Sequence, residues 1–199
     1  MDPFEYNANP CRVVFGSGSI QKLPTELQRL SVASPLLLST PQRVDQTSVL
    51  AKILDNASIK PAGTYRKATM HTPSHITEEA LALAKESNAD CVISIGGGSA
   101  IGLGKAISVR TGLPHICIPT TYAGSEMTPI LGETQDGRKA TRSDPKILPG
   151  TVIYDVDLTM TLPKELSATS GVNAIAHAGK LTSLVEGSAI AIFIATEQC

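Results

Sequence analysis

The stretch Cys91-Val92-Ile93-Ser94-Ile95-Gly96-Gly97-Gly98-Ser99-Ala100 constrains this chain more than any other. An almost unbroken apolar run of this length marks a strand covered on both faces, as in a parallel sheet with helices on each side. Three glycines follow, then an apolar-periodic run to Thr111 that predicts a helix. The first N–H groups of a helix lack partners within it, and together with the helix dipole they form a site for an anion. Glycines at that point let a phosphate approach the backbone closely. The same residues fit a tight strand-to-helix turn with no ligand, so the choice rests on the rest of the chain.

Strand and helix signals alternate on both sides of this turn. Val13-Val14-Phe15 reads as a strand ending at Gly16-Ser17-Gly18, with Ser19 as cap for a helix whose Leu23, Leu27 and Leu30 share a face. Pro35-Leu36-Leu37-Leu38-Ser39 is a second two-sided apolar run. Thr40-Pro41-Gln42-Arg43 turns into a helix with Val49, Leu50, Ile53 and Leu54 on its apolar side. A weaker strand near Ala62 to Tyr65 and a loop holding His71, Pro73 and His75 lead to a helix opened by Thr77-Glu78-Glu79, acidic where the dipole favours acid. His115 to Ile118 gives the next strand. Ile130 to Thr134 and Lys139 to Ser143 predict a hairpin turning at Gln135-Asp136-Gly137-Arg138. Thr151 to Tyr154 is one more strand, and Pro163 suits the first turn of a new helix. The fold class this predicts is α/β, a parallel sheet with flanking helices and a β-hairpin beside it.

Composition narrows the partners. The chain has 199 residues, enough for one sizeable core, and its 42% apolar and 18% charged content excludes a disordered chain. A net charge of -1 gives no reason to expect nucleic acid or an anionic membrane. The stretch Met1-Asp2-Pro3-Phe4-Glu5-Tyr6 has neither the basic end nor the apolar run expected of a signal peptide, and the longest apolar run, Ala189 to Ala195, falls short of the ~20 residues of a membrane helix. Cys11, Cys91, Cys117 and Cys199 show no metal-type spacing, which points to buried thiols in a reducing, cytoplasmic setting.

Two further stretches can carry chemistry. Pro119-Thr120-Thr121-Tyr122-Ala123-Gly124-Ser125-Glu126-Met127-Thr128-Pro129 is a polar loop at the carboxyl end of a strand, where open α/β sheets bind ligands. Its hydroxyls either bond a ribose, phosphate or amide, or satisfy their own backbone. Asn173 and His177 lie four apart on one helix face, so they form either a ligand-holding pair or a hydrogen-bonded one. His71 and His75 have the same spacing, but Pro73 between them breaks any continuous helix. Arg138, Lys139 and Arg142 either attract a dicarboxylate or form a solvated face.

In order and spacing these motifs resemble the iron-containing alcohol dehydrogenase superfamily, and within it the maleylacetate reductases. Gly96-Gly97-Gly98-Ser99 matches the family's pyrophosphate turn, and Thr120 to Pro129 resembles the reductase form of its cofactor loop. Ser39-Thr40-Pro41-Gln42 stands at the adenosine-side loop; Gly137-Arg138-Lys139, Asp144-Pro145 and Leu148-Pro149 are also similar to the reductases. The resemblance implies a Rossmann-like NAD(P)-binding domain over residues 1–162 and the start of an all-helical domain over 163–199. It implies reduction of the carbon–carbon double bond of maleylacetate, an oxo-dicarboxylate, by NADH or NADPH. Gly96, Gly97, Gly98 and Ser99 would hold the pyrophosphate; Thr120, Thr121 and Ser125 would lie along the ribose and nicotinamide. Ser39 stands where relatives often carry an Asp that repels a 2′-phosphate, so NADPH is permitted beside NADH. Asn173 stands where metal-dependent relatives carry an Asp ligand, and a neutral amide is the poorer ligand; no metal is expected. His177 would then act as a substrate-facing hydrogen bonder or proton donor. A homodimer is compatible with this reading.

The resemblance runs from about Tyr6 to about Ala178, and from Gly179 to Cys199 the chain departs from it. Most of the helical domain is thus expected to be missing. The stretch Glu186 to Ile192 reads as a remnant of a later helix or as read-through sequence. Two functions follow: a reductase of the maleylacetate type, whole or shortened, or a nucleotide-binding domain without redox activity, serving as a binding module or in isomerisation or cyclisation.

Overall fold

The computed structural model describes residues 11–135, 137–160 and 162–184. Strands β1 (Arg12–Phe15), β2 (Pro35–Leu38), β3 (Gly63–Tyr65), β4 (Cys91–Gly96), β5 (His115–Pro119) and β8 (Thr151–Tyr154) form a wholly parallel six-stranded sheet in the order β1-β8-β5-β4-β2-β3. Helices α1 (Leu23–Arg29), α2 (Val44–Asn56), α3 (Ser74–Glu86) and α4 (Gly98–Thr111) connect the strands. From β1 the chain crosses to β2 and moves outward to β3. It then returns to β4 and winds the other way through β5 to β8. The direction reverses between β2 and β4, and the carboxyl ends of strands flanking such a reversal form a crevice for ligands.

Alternation along the strands divides the core in two. Leu37, Ile93 and Ile116 are aligned across β2, β4 and β5 and pack on the side of Leu23 and Leu27 of α1 and Leu50, Ile53 and Leu54 of α2. Their neighbours Leu36 and Val92 point the other way, toward Ile76, Ala80 and Ala84 of α3 and Ala100, Leu103 and Ile107 of α4. Burial on both faces explains why these strands read as continuous apolar runs. Cys91 and Cys117 are buried, as the sequence suggests, and Cys199 lies outside the described residues.

Several local expectations are corrected. Ser19 caps no helix: Gly18 begins a short 3-10 turn over Ser19–Lys22 with no side-chain cap, and the Ser19 hydroxyl donates to the Tyr154 carbonyl at 3.0 Å. Val49 is exposed, because the buried stripe of α2 is completed by Gln46 and Thr47 instead. Helix α3 starts at Ser74, with Pro73 in the extended conformation before it, so Glu78 and Glu79 fall beyond the first turn. The hairpin β6 (Ile130–Gln135) and β7 (Arg138–Ser143) is a separate two-stranded sheet. Leu131 packs with Ile147 against Ala106 and Val109, so the hairpin covers α4.

Covered by sheet, α3 and hairpin, α4 has no polar side: every residue from Ala100 to Ile107 is buried. Packing this close requires glycines. A Cβ on Gly102 would stand 2.7 Å from the Thr72 hydroxyl, and one on Gly104 would overlap the His115 imidazole. Residues 9–161 make one compact unit, and the chain from Leu162 onward belongs to another, of which α5 (Lys164–Leu184) is described. Pro163 immediately precedes α5, and its carbonyl accepts from the Ser167 N–H at 3.0 Å. The tail over 185–199 lies outside the described residues.

Gly104→Ala should lower stability by about 2–3 kcal/mol, the cost of overpacking a rigid core. Urea unfolding of this variant and of Gly104→Ala with His115→Ala measures it; the double variant should lose much less than the sum of its parts.

Candidate functional site

Three strands of the sheet end side by side: β2 before Ser39, β4 at Gly96 and β5 at Pro119. Gly96 has φ +138°, a conformation that side chains with a Cβ rarely adopt. Its carbonyl accepts from the Thr120 N–H at 3.0 Å, which fastens the glycine turn to the polar loop. Gly97 is the N-cap of α4 in extended conformation, and no side chain caps the helix. Thr121 lies directly over it: a Cβ on Gly97 would meet the Thr121 hydroxyl at 3.0 Å and its methyl at 3.1 Å. Gly98 is exposed and has Ala123 as its nearest neighbour, at 4.0 Å from an added Cβ. The structure therefore brings Gly96, Gly97, Gly98, Ser99, Thr120 and Thr121 to one place, at an uncapped helix N-terminus.

The remaining sequence-derived residues fall differently. Ser39 is fully buried, and its hydroxyl donates to the Thr40 carbonyl at 3.3 Å. Its backbone joins β3 through the Tyr65 carbonyl and the Ala68 N–H, so this residue is strand-end structure as well as a neighbour of the crevice. Ser125 presents its carbonyl inward, where the Thr128 hydroxyl donates to it at 3.0 Å. Part of the loop thus satisfies its own backbone, while Thr121 faces the glycines. Asn173 and His177 both lie on α5, four residues apart, and their side chains lie outside what is described.

A cavity of about 370 Å³ adjoins the helix terminus, lined by Gly98, Ser99, Ser125, His71, Thr72 and Lys139 among others. His71 and Thr72 have φ of +66° and +44°, left-handed values that cost non-glycine residues energy. Thr72 is buried against Gly102 of α4, which holds this turn in place. Pro73 separates the two histidines as anticipated, leaving His71 in the turn and His75 in α3. Among the described residues no group of three His, Cys, Asp or Glu side chains could hold a metal ion. Of the hairpin cations, Arg142 lies 3.6 Å from Glu133, while Lys139 lines the cavity.

Sequence reading passed over a polar network beneath the loop. Lys105, within α4, is fully buried and donates to the carbonyls of Ser125, Thr128 and Ile130, the last two at 2.8 and 2.9 Å. Burial pulls its pKa down to about 8. Glu126 is buried too and accepts from the Tyr154 hydroxyl at 2.8 Å. Burial, then the Glu126 carboxylate, pushes the Tyr154 phenol upward. His115 is buried 2.7 Å from the Ser94 hydroxyl, and burial, with Lys105 nearby, lowers its pKa to about 3. The signal for Lys105 was a lysine among small and apolar residues in a helix with no polar stripe. For Glu126 and His115 the sequence held no comparable signal.

The family model described as iron-containing alcohol dehydrogenase matches residues 10–156. Maleylacetate reductase of Rhizobium sp. (strain MTP-10005) is 47% identical over 197 residues, covering 99% of this chain and 55% of that protein. Maleylacetate reductase of Sphingobium indicum is 46% identical over 194 residues, 98% of this chain and 54% of that one. The crystal structure of maleylacetate reductase from Agrobacterium tumefaciens superposes with a TM-score of 0.92 at 47% identity, covering 98% of this chain and 55% of that one. The chain spans about half the length of the relatives it matches. Similarity to the Rhizobium protein covers 99% of this chain and so extends past Ala178, where the motif resemblance ends.

The His115 environment predicts a pH dependence. Above its ordinary pKa of about 6.5 the imidazole is neutral folded or unfolded; below it only the unfolded chain takes up the proton, so stability falls as pH falls toward the folded value. Chemical unfolding at pH 6.5 and pH 5 should differ by roughly 2 kcal/mol more for the unmodified chain than for His115→Asn.

Proposed function

Because the chain belongs to the iron-containing alcohol dehydrogenase family, we propose that its glycine turn and the loop from Thr120 bind NADH or NADPH for a reductase of the maleylacetate type. The observation that carries this reading is the apposition of Thr121 and Gly97 over an uncapped helix N-terminus at the winding reversal of the sheet. The residues fit a dinucleotide. N–H groups of the first turn of α4 would donate to the diphosphate oxygens, with Gly97 and Gly98 leaving room for them. Lys139 and His71, across the cavity, would supply further positive and donor groups. Thr120, Thr121 and Ser125 would lie toward the ribose and nicotinamide. At the adenosine side, Ser39 and the adjoining loop bring no carboxylate, which admits a 2′-phosphate.

Bound there, the cofactor supplies a hydride for the carbon–carbon double bond of an oxo-dicarboxylate such as maleylacetate, giving 3-oxoadipate. Residues 1–162 would form the nucleotide-binding domain and 163–199 the beginning of a helical domain carrying Asn173 and His177. His177 would hold or deliver a proton to the substrate. The donor pair there, an amide and an imidazole without a carboxylate, is a poor set for a divalent cation, and no step of this reading passes through a metal.

Fluorescence titration with NADH tests the site. The unmodified chain should bind; Gly97→Asp, which puts a charge against the diphosphate, should raise Kd at least about a hundredfold, and Lys139→Glu, on the exposed hairpin, about tenfold. No binding at millimolar NADH, or an unchanged Kd in both variants, would overturn the assignment. Oxidation of bound NADH on adding maleylacetate supports the reductase; binding without oxidation supports a nucleotide-binding module instead.

A further inference from the structure

We propose that Lys105 is a positioning residue for the cofactor, its buried ammonium locking the loop over 120–130 to the helix whose N-terminus receives the diphosphate. The inference rests on the cofactor reading above. Nζ carries three protons, and three main-chain carbonyls receive them, those of Ser125, Thr128 and Ile130. The hydroxyls of Thr128 and Ser125 lie at 3.2 and 3.5 Å from the same nitrogen. No carboxylate is within ion-pair distance of it among the described residues. A charge buried in this way costs more than an apolar side chain of the same size, so packing alone does not account for a lysine here.

What the ammonium does is local and geometric. The Ser125, Thr128 and Ile130 carbonyls span the second half of the loop and the start of β6, so one group fixes three points of that segment. Lys105 lies seven residues into α4 from Gly98, about 10 Å along the axis from the helix terminus. At its other end the loop is tied by the Thr120 N–H to Gly96, and between them by Glu126 to Tyr154 of β8. The loop that carries Thr121 is thereby held with that residue over Gly97 before any ligand arrives, which lowers the ordering cost of binding.

The protonation state then matters. The titratable groups facing Lys105 are His115 and Cys117 of β5 and Glu126 of the loop, with Tyr154 behind Glu126. Burial keeps the imidazole neutral and the thiol protonated, so Glu126 is the anion that favours the ammonium. Above its pKa of about 8 the amine loses one proton and one of the three carbonyls loses its donor. Cofactor binding, which needs the loop fixed, should draw that proton back. The unfolded lysine keeps its proton to higher pH, so the same ionisation makes the fold more stable relative to the unfolded chain between pH 8 and its ordinary value. Affinity and stability should therefore move in opposite directions over one pH window.

Calorimetric titration of NADH into the 199-residue chain between pH 7 and 9.5, in buffers of different ionisation enthalpy, tests this. Kd should be constant to about pH 8, then rise toward tenfold per pH unit, with net proton uptake on binding. Lys105→Met should raise Kd about tenfold or more at pH 7 and abolish both the rise and the uptake. Binding by Lys105→Met with the Kd and pH profile of the unmodified chain would overturn the inference while leaving the cofactor reading intact. If that variant does not fold, absence of proton uptake in the unmodified chain at pH 9 overturns it equally. Failure of the unmodified chain to bind NADH overturns the cofactor reading and this inference with it.

Discussion

The fold and the glycine turn depend on one constraint: α4 is enclosed by protein from Ala100 to Ile107 yet leaves its first turn uncapped. Enclosure requires small residues, and Gly102 and Gly104 admit Thr72 and His115 to the helix backbone. Openness requires that no side chain cap the terminus, and Gly97 meets that condition. A helix with a solvated face could tolerate a different spacing. Here residues of the sheet, of α3 and of the hairpin all pack against α4. The glycine turn, the loop and the cavity are therefore parts of one packing solution.

That solution makes polar groups unavoidable in the interior. Ser94, His115 and Cys117 meet under α4, with the imidazole 3.4 Å from the thiol sulfur. Lys105 takes up loop carbonyls, and Glu126 takes up the Tyr154 hydroxyl while its second oxygen has no hydrogen-bond partner among the described residues. These groups surround a loop that has no regular secondary structure beyond a single 3-10 turn at Ser125–Met127. Apolar packing alone does not specify one conformation for such a segment; directed hydrogen bonds with three carbonyls and a carboxylate do.

Much of this was legible from the residues. Strands buried on both faces announce themselves as apolar runs, so β2, β4 and β5 and their helices are readable from Leu36, Val92 or Ile116 and their neighbours. The glycine turn was readable because Gly96 takes a φ of +138° that side chains with a Cβ rarely adopt, and because a Cβ on Gly97 would press on Thr121. What was not readable depends on contacts between distant residues. Nothing in the local sequence tells that Val49 faces water while Gln46 and Thr47 turn inward, that Ser39 is buried by β3, or that Lys105 points at carbonyls some twenty residues further on. The start of α3 was missed by three residues because Pro73, not an acidic first turn, sets it.

The pairing of β1 with β8 has a consequence for how such a chain is made. The Ser19 hydroxyl bonds the Tyr154 carbonyl across 135 residues, and β8 is the only strand that pairs with β1 among the described residues. During synthesis β1 leaves the ribosome long before β8, its described partner, while β2, β3 and β4 can already pair. The β1–β8 pairing can form only after the loop and hairpin have been made, and the entropy of that long closure falls on a single four-residue strand. Until then the edge of β1 that β8 covers is open to other strand edges, and the interval between emergence and closure is one in which mispairing competes with folding.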